Sequence, residues 1–182
     1  MRFLLFGLSL RSGVFLHRII PENIVLPAYK FRMDNQQKIV IYFDSDEDGT
    51  GELFVEANSN NFAGNSSAWF NKTELLDFAN ALTVYPLAEN NLPKLASGFW
   101  RSNVKGELKE EHLVISVYPI DGVGNLGVQV KLATQRWSEM CPESQHLVRL
   151  EITTNYNALE TFSKELVVLI NGRVENATLQ NV

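Results

Sequence analysis

Cysteine is almost missing from this chain: Cys141 is the single cysteine among 182 residues. No internal disulfide can form, so the sequence does not require an oxidising compartment and we expect a cytoplasmic protein. The three histidines, His17, His112 and His146, fall in no metal-ligating spacing. Cys141 has no second thiol nearby, which favours a loop cysteine over a nucleophile. We therefore predict no metal and no cofactor.

Recognisable catalytic motifs are missing as well. No Gly-x-Ser-x-Gly elbow occurs, and no carboxylate pair stands apart from the general acidity. Residues 122–127 spell GxGxxG, but a strand pattern follows where a dinucleotide site needs a helix, so a hairpin is favoured. We predict that the protein is not an enzyme. Catalysis by scattered acids such as Asp121 is the least favoured alternative.

A glutamate is missing from what would otherwise be a calcium loop. Residues 44–49 (DSDEDG) place acids at the first, third and fifth positions and glycine at the sixth. Val55 then stands where a bidentate glutamate is needed, and strand patterns flank the segment instead of helices. A tight acidic hairpin is the favoured interpretation, and weak cation binding is the open alternative.

Basic residues are scarce outside the first 32 positions. That segment carries five basic residues and one acidic residue, which leaves 11 basic and 20 acidic residues, a net of −9, on residues 33–182. An acidic domain repels phosphate backbones, so we predict no nucleic-acid partner. The same charge favours a basic protein partner, and ordinary solubility is the alternative explanation.

Residues 1–32 differ from the rest of the chain in pattern as well. Residues 1–10 are apolar but too short to span a membrane, and no small-x-small cleavage site follows them. At Met33 the sequence turns polar and acidic. We predict that residues 1–32 are a non-native or poorly ordered extension and that the natural protein starts near Met33. A strand pair that completes the sheet and a membrane anchor are the alternatives.

Strand patterns dominate the remaining sequence. They cover residues 38–43, 52–57, 67–70, 112–118, 126–132 and 147–152. Within the second of these, Leu53 and Val55 share one face, and Glu52, Phe54 and Glu56 share the other. Such alternation is typical of an antiparallel sheet with one solvated face.

Two helix patterns interrupt the strands. Asn71 and Glu74 form a capping box before an apolar stripe that ends by Pro86, and a second stripe covers residues 156–170 before Gly172. Residues 87–98 are predicted to be a loop, and residues 173–182 a polar C-terminal tail. We therefore predict one α+β domain over residues 33–172, with a mostly antiparallel β-sheet and two α-helices packed on one face. The order of strands, helix, strands and helix also suggests a duplicated layout, although no residue-level repeat supports it.

Paired tryptophan and arginine residues are the candidates for partner binding. Trp100 precedes Arg101, Arg136 precedes Trp137, and Tyr118 ends a strand pattern. Tryptophan and arginine concentrate at interface hot spots, so we predict that these five residues contact a protein partner. Half-buried tryptophans at loop bases are the alternative.

Several structural motifs resemble a known family. They are Asn61-Phe62-Ala63-Gly64, Trp69-Phe70, the helix stripe leading to Tyr85-Pro86-Leu87, Val117-Tyr118-Pro119-Ile120-Asp121, and the Gly124-x-x-Gly127-Val128-x-Val130 pattern. Together they resemble a group of small bacterial proteins that is distantly similar to the WapI-type immunity proteins, which neutralise contact-delivered toxins. The resemblance covers residues 36–171 and implies no catalytic residues.

The leading hypothesis is therefore a non-enzymatic binding protein, an immunity protein whose acidic surface docks a basic toxin domain. A small-ligand-binding module, or a structural homodimer that pairs through an edge strand, is the alternative.

Overall fold

The computed structural model describes residues 36–88, 90–104, 106–136 and 140–181. The prediction for residues 1–32 lies outside these residues. In chain order the elements are β1 (Lys38–Ser45), β2 (Thr50–Ser59), β3 (Phe62–Asn71), α1 (Lys72–Ala81), β4 (Lys94–Trp100), β5 (Leu108–Pro119), β6 (Asn125–Ala133), a short 3-10 helix (Pro142–Ser144), β7 (Leu147–Asn155), α2 (Tyr156–Ile170) and β8 (Ala177–Gln180).

The strands form two antiparallel sheets of four strands each. The first sheet has the order β3-β2-β1-β8, and the second has the order β4-β5-β6-β7. The α+β class and the antiparallel pairing are confirmed, although the strands divide into two sheets where the sequence indicates one. In the second sheet β4 to β7 form a four-stranded meander that α2 follows, whereas in the first sheet a meander of β1, β2 and β3 precedes α1 and β8 joins from the end of the chain. The suggested duplication stays a prediction.

Two segments differ from their predictions. Residues 94–98, predicted as loop, belong to β4, and residues 177–180, predicted as tail, form β8. β4 alternates in burial, but its central residues Ala96, Ser97 and Gly98 are small, so the sequence shows no apolar period of two. In β8 the alternation spans only four residues, too few to distinguish from chance. Ala177 and Leu179 become buried because β8 pairs with the distant β1.

The core lies between the inner faces of the two sheets and the helices. β3 contacts every strand of the second sheet, and at Gly64 the approach is so close that a Cβ atom would lie 2.4 Å from Val148. α2 packs against α1, β1, β8 and β7. Each aliphatic or aromatic side chain buried here contributes about 1.5–3 kcal/mol. The largest fully buried side chains are Phe162, Ile39, Ile41, Leu53, Leu82, Leu113, Ile115, Leu126, Leu132, Ile152, Leu159 and Leu179.

Each helix begins at an asparagine that directly ends a strand. Glu74 Oε2 accepts a hydrogen bond from the Asn71 N–H at 3.0 Å, as the predicted capping box requires. Asn155 Oδ1 accepts one from the Ala158 N–H at 3.0 Å. These bonds satisfy N–H groups that have no partner inside the helix. Both helices therefore start where the strand before them ends.

Candidate functional site

The outer face of the first sheet carries aromatic and acidic side chains together. Because successive strand residues point to opposite faces, burial of Ile41, Leu53 and Val55 on the inner face leaves their neighbours on the outer face. We define the aromatic-acidic face by Tyr42, Asp44, Glu52, Phe54, Glu56 and Trp69. The outward position of Glu52, Phe54 and Glu56 agrees with the sequence alternation.

Strand register brings the aromatic residues of this face together. Tyr42 on β1 lies directly opposite Phe54 on β2, and Trp69 on β3 lies opposite Glu52. Tyr42, Phe54 and Trp69 are 36%, 40% and 56% exposed. Single exposed apolar residues are ordinary on protein surfaces, but three on neighbouring strands form a patch, and such patches mark interaction sites.

Negative charge is concentrated in the same part of the chain. Residues 38–81 carry eight acidic and two basic residues, whereas residues 94–170 carry nine acidic and eight basic residues. The ion pairs among the described residues all lie within 94–170. Glu52 accepts a hydrogen bond from Ser67 Oγ at 2.6 Å, which orients its carboxylate. Among the described residues, the acids of the first sheet thus form no ion pair with a basic side chain.

Two tryptophans line a groove at one margin of the face. The groove has a volume of about 310 Å³, and its lining includes Trp69, Trp100 and Glu74. Ser97 Oγ donates a hydrogen bond to the Trp69 carbonyl oxygen at 3.2 Å, which holds β4 beside the end of β3. Trp100 is 57% exposed, so the predicted residue Trp100 and the unpredicted Trp69 form one aromatic margin.

Opposite the part of β4 that leads to Trp100, β5 carries a β-bulge in which His112 is the extra residue between the Ser97–Leu113 and Gly98–Glu111 pairs. At Gly98 a Cβ atom would lie 1.9 Å from the Glu110 carbonyl oxygen, so only glycine fits there. Bulges bend the strand that carries them and change the direction of the side chains that follow. The close approach of bulged β5 therefore requires glycine at position 98, two residues before Trp100.

Among the other predicted partner-binding residues, the two arginines form ion pairs with acidic residues of this chain. Arg101 Nε forms an ion pair with Glu107 at 3.1 Å. Arg136 is half-buried, and its Nε lies 3.4 Å from Glu110. Trp137 lies outside the described residues. The role of these residues in binding stays a prediction.

Tyr118 lies at the far end of β5, eight residues beyond Glu110, which corresponds to about 27 Å along a strand. Its ring lies over Gly127 of the neighbouring strand, and its hydroxyl donates a hydrogen bond to Glu151. Burial, followed by the hydrogen bond and the charge of Glu151, raises the pKa of Tyr118 to about 12. The structure therefore does not bring Tyr118 together with Trp100.

Glu110 is the centre of a polar cluster in the second sheet. Its Oε1 lies 2.8 Å from Nε2 of the buried His112 and accepts hydrogen bonds from the Arg136 N–H and Gln145 Nε2, both at 3.1 Å. Burial acts to raise the pKa of Glu110, but the donors around it outweigh burial and lower the pKa. Because its acceptor positions are occupied, this carboxylate fixes the segment after β6 to β5.

The two motif-like loops are hairpins. Residues 46–49 connect the antiparallel strands β1 and β2, and Asp48 accepts hydrogen bonds from the Thr50 hydroxyl and N–H, which lower its pKa. The GxGxxG segment joins β5 to β6, as predicted, and Asp121 Oδ1 accepts from the Val123 N–H. Within the described ranges no group of three or more histidine, cysteine or acidic side chains is arranged to hold a metal ion.

Comparisons with known proteins returned nothing. No protein-family model matches the chain, and neither a curated protein nor a solved structure does. The resemblance to WapI-type immunity proteins therefore stays a prediction. Among the residues that the structure describes, no helix is both long and apolar enough to cross a membrane.

Proposed function

We propose that this chain is a non-enzymatic binding protein that neutralises a basic bacterial toxin domain, as an immunity protein does, and that the aromatic-acidic face is its binding surface. The observation that carries the proposal is the coincidence, on one sheet face, of exposed aromatic residues with acids that form no ion pair among the described residues. A cationic partner would neutralise these acids, and aromatic rings attract cations through their electron-rich faces.

The margin with two tryptophans supplies the apolar part of the surface. Tryptophan is enriched among residues that dominate binding energy, and it acts best where surrounding contacts exclude water. Trp69 and Trp100 line one groove, and Glu74 lies beside them. A partner side chain with an apolar stem and a cationic end, such as arginine, matches this chemistry.

The first test is a rescue experiment. The gene next to the one for this chain would be expressed in a heterologous host with and without the full chain, and surviving colonies would be counted. We expect the neighbour to kill alone and the chain to restore growth. A neighbour that is harmless, or that kills in both cases, would exclude the immunity role for that pair.

A set of substitutions locates the surface. Replacing Asp44, Glu52 and Glu56 with their amides should weaken binding of the neighbour's product by tenfold or more at low salt, because it removes the attraction to a basic partner. Trp69→Ala should weaken binding roughly thirtyfold, a typical hot-spot loss.

The matched control for charge neutralises three exposed acids outside the first sheet, Glu143, Glu160 and Glu175. The control for apolar truncation is Val123→Ala in the β5–β6 hairpin, where the side chain is also exposed. Titration calorimetry should show little change for either control. Equal losses in the controls and in the face variants would mean that binding does not use this face.

A further inference from the structure

The alternation of backbone hydrogen bonds identifies which groups of β3 point away from its sheet. The Lys72 N–H donates to the Gly49 carbonyl at 2.9 Å, so these residues form a hydrogen-bonded pair at the end of the β2–β3 ladder. In an antiparallel ladder such pairs recur at every second residue. Ala63, Asn65, Ser67 and Trp69 therefore direct their N–H and C=O groups outward from the sheet.

Side chains bond to outward backbone groups on two other sheet edges of the described chain, β7 and β8. On β7, the Thr153 N–H donates to Gln37 Oε1 at 2.9 Å, and the Glu151 carbonyl accepts from Ser59 Oγ at 3.1 Å. On β8, the Thr178 N–H donates to Glu165 Oε2 at 2.9 Å. Closing of edge groups in this way prevents the addition of a foreign strand.

On β3 the closing contact is confined to one end. The Trp69 carbonyl accepts from Ser97 Oγ. By contrast, the outward backbone groups of Ala63, Asn65 and Ser67 bond to no residue of the described chain. A groove of about 440 Å³ adjoins this segment, and its lining includes Asn65, Ser67 and Thr134. Ala63 and Asn65 are exposed, so this edge is accessible where its backbone groups are unpaired.

Short side chains on β3 lie between this edge and two acids of the aromatic-acidic face. Glu56 lies opposite Asn65, and Glu52, which lies opposite Trp69, reaches diagonally to accept a hydrogen bond from Ser67 Oγ. An added strand would lie about 4.8 Å from β3 and so about 10 Å from β2. Lysine or arginine side chains extend far enough to approach Glu52 and Glu56 across Ser67 and Asn65.

We infer that the partner of this protein binds through an extended basic segment that adds to the first sheet along β3 at Ala63, Asn65 and Ser67. Backbone hydrogen bonds would supply affinity, and alternate lysine or arginine side chains would lie over the small residues toward Glu52 and Glu56. This inference rests on the proposed function because it takes the same face and the same basic partner. A second copy of the chain is less suited to this edge, since pairing two copies would bring two acidic faces together.

The test uses the full chain and a synthetic peptide of about ten residues that alternates lysine and valine, a usual strand length. Hydrogen exchange of backbone amides would be followed by NMR at low ionic strength. We expect the Ala63, Asn65 and Ser67 amides to exchange at least about tenfold more slowly when the peptide is bound.

The variant Asn65→Pro tests whether the peptide bonds to the backbone of β3. It removes one outward N–H without removing a β2–β3 hydrogen bond, and proline is tolerated on edge strands. We expect it to weaken peptide binding about tenfold while the melting temperature of the chain changes little. Glu52→Gln with Glu56→Gln should also weaken binding.

The outcomes separate strand addition from the proposed function. If the acidic variants weaken binding of the peptide but Asn65→Pro and the three amides show no effect, strand addition is wrong and the face binds by other contacts. If the peptide does not bind, strand addition is overturned, while colony rescue still decides the immunity role. Concentration-dependent dimerisation that Asn65→Pro abolishes would overturn the inference in favour of a second copy.

Discussion

The two sheets use their charged residues in different ways. In the second sheet Glu111 contacts Lys94 and Lys131, and Glu110 contacts Arg136 and His112. In the first sheet the acids outnumber the bases and lie beside exposed aromatic rings. Charged residues of the second sheet therefore link parts of the fold through ion pairs, whereas the acids of the first sheet form none among the described residues. Such a division is expected when one face is kept for another molecule.

The largest effect that tests this comparison concerns Glu110. We expect Glu110→Ala to lower the free energy of unfolding by ~2–3 kcal/mol, because the buried His112 and the Arg136 N–H lose their acceptor. Glu56→Ala, on the exposed face, should change it by less than about 0.5 kcal/mol. Urea denaturation of both variants measures the difference. Similar losses would remove the distinction between the two sheets.

An effect of intermediate size should appear in the stability of the fold at acidic pH. The pKa of Glu111 lies below its usual 4.5, chiefly because Lys131 donates a hydrogen bond to the carboxylate. Burial opposes this shift, but the charge of Lys131 and the contact with Lys94 add to the lowering. Because the folded pKa is the lower one, the stabilisation is present above pH 4.5 and is lost as the pH falls through the folded value.

Comparison of the wild-type chain with Glu111→Gln tests this dependence. Near neutral pH the variant should be less stable by about 1 kcal/mol or less, since the group is partly exposed and screened by water. The two stability curves should converge below pH 4.5 when unfolding is followed by urea at a series of pH values. Parallel curves would show that the pairing of Glu111 does not stabilise the fold.

The smallest effect concerns Tyr118. Its pKa of about 12 means that the protonated hydroxyl bonds to Glu151 over the whole range in which ordinary tyrosines ionise. The stabilisation is present below pH 10 and is lost as the pH rises through 12. Tyr118→Phe should remove the last step of the phenolate absorbance titration and cost less than about 1 kcal/mol. An unchanged titration would assign that step to another tyrosine.

Local patterns were enough to predict the helices and most of the strands. α2 spans the predicted residues 156–170 because its apolar stripe and the Gly172 stop are contained in one segment. β8 could not be predicted in this way, since the burial of Leu179 depends on a strand far away in the sequence. β4 could not be predicted either, because Ala96, Ser97 and Gly98 at its centre are small and leave no apolar period of two in the sequence.

The candidate site was only partly visible in the sequence. Alternation placed Glu52, Phe54 and Glu56 on one outer face, and Trp100 was a predicted partner-binding residue. The neighbours Tyr42 and Trp69 join that face through strand register, which local patterns do not fix. The proximity of Trp69 to Trp100 depends further on how two separate sheets meet, and no spacing in the chain encodes that contact directly.

The pairing of β8 with β1 has a consequence for the biosynthesis of the protein. Gln37 and Asn181, separated by 144 positions in the chain, hydrogen-bond to each other where these strands meet. The ribosome therefore releases all of β4 to β7 before β8 can close the first sheet. Closing so long a loop also carries an entropic cost that local hairpins avoid. The sheet that carries the aromatic-acidic face is thus the later of the two to be completed during translation.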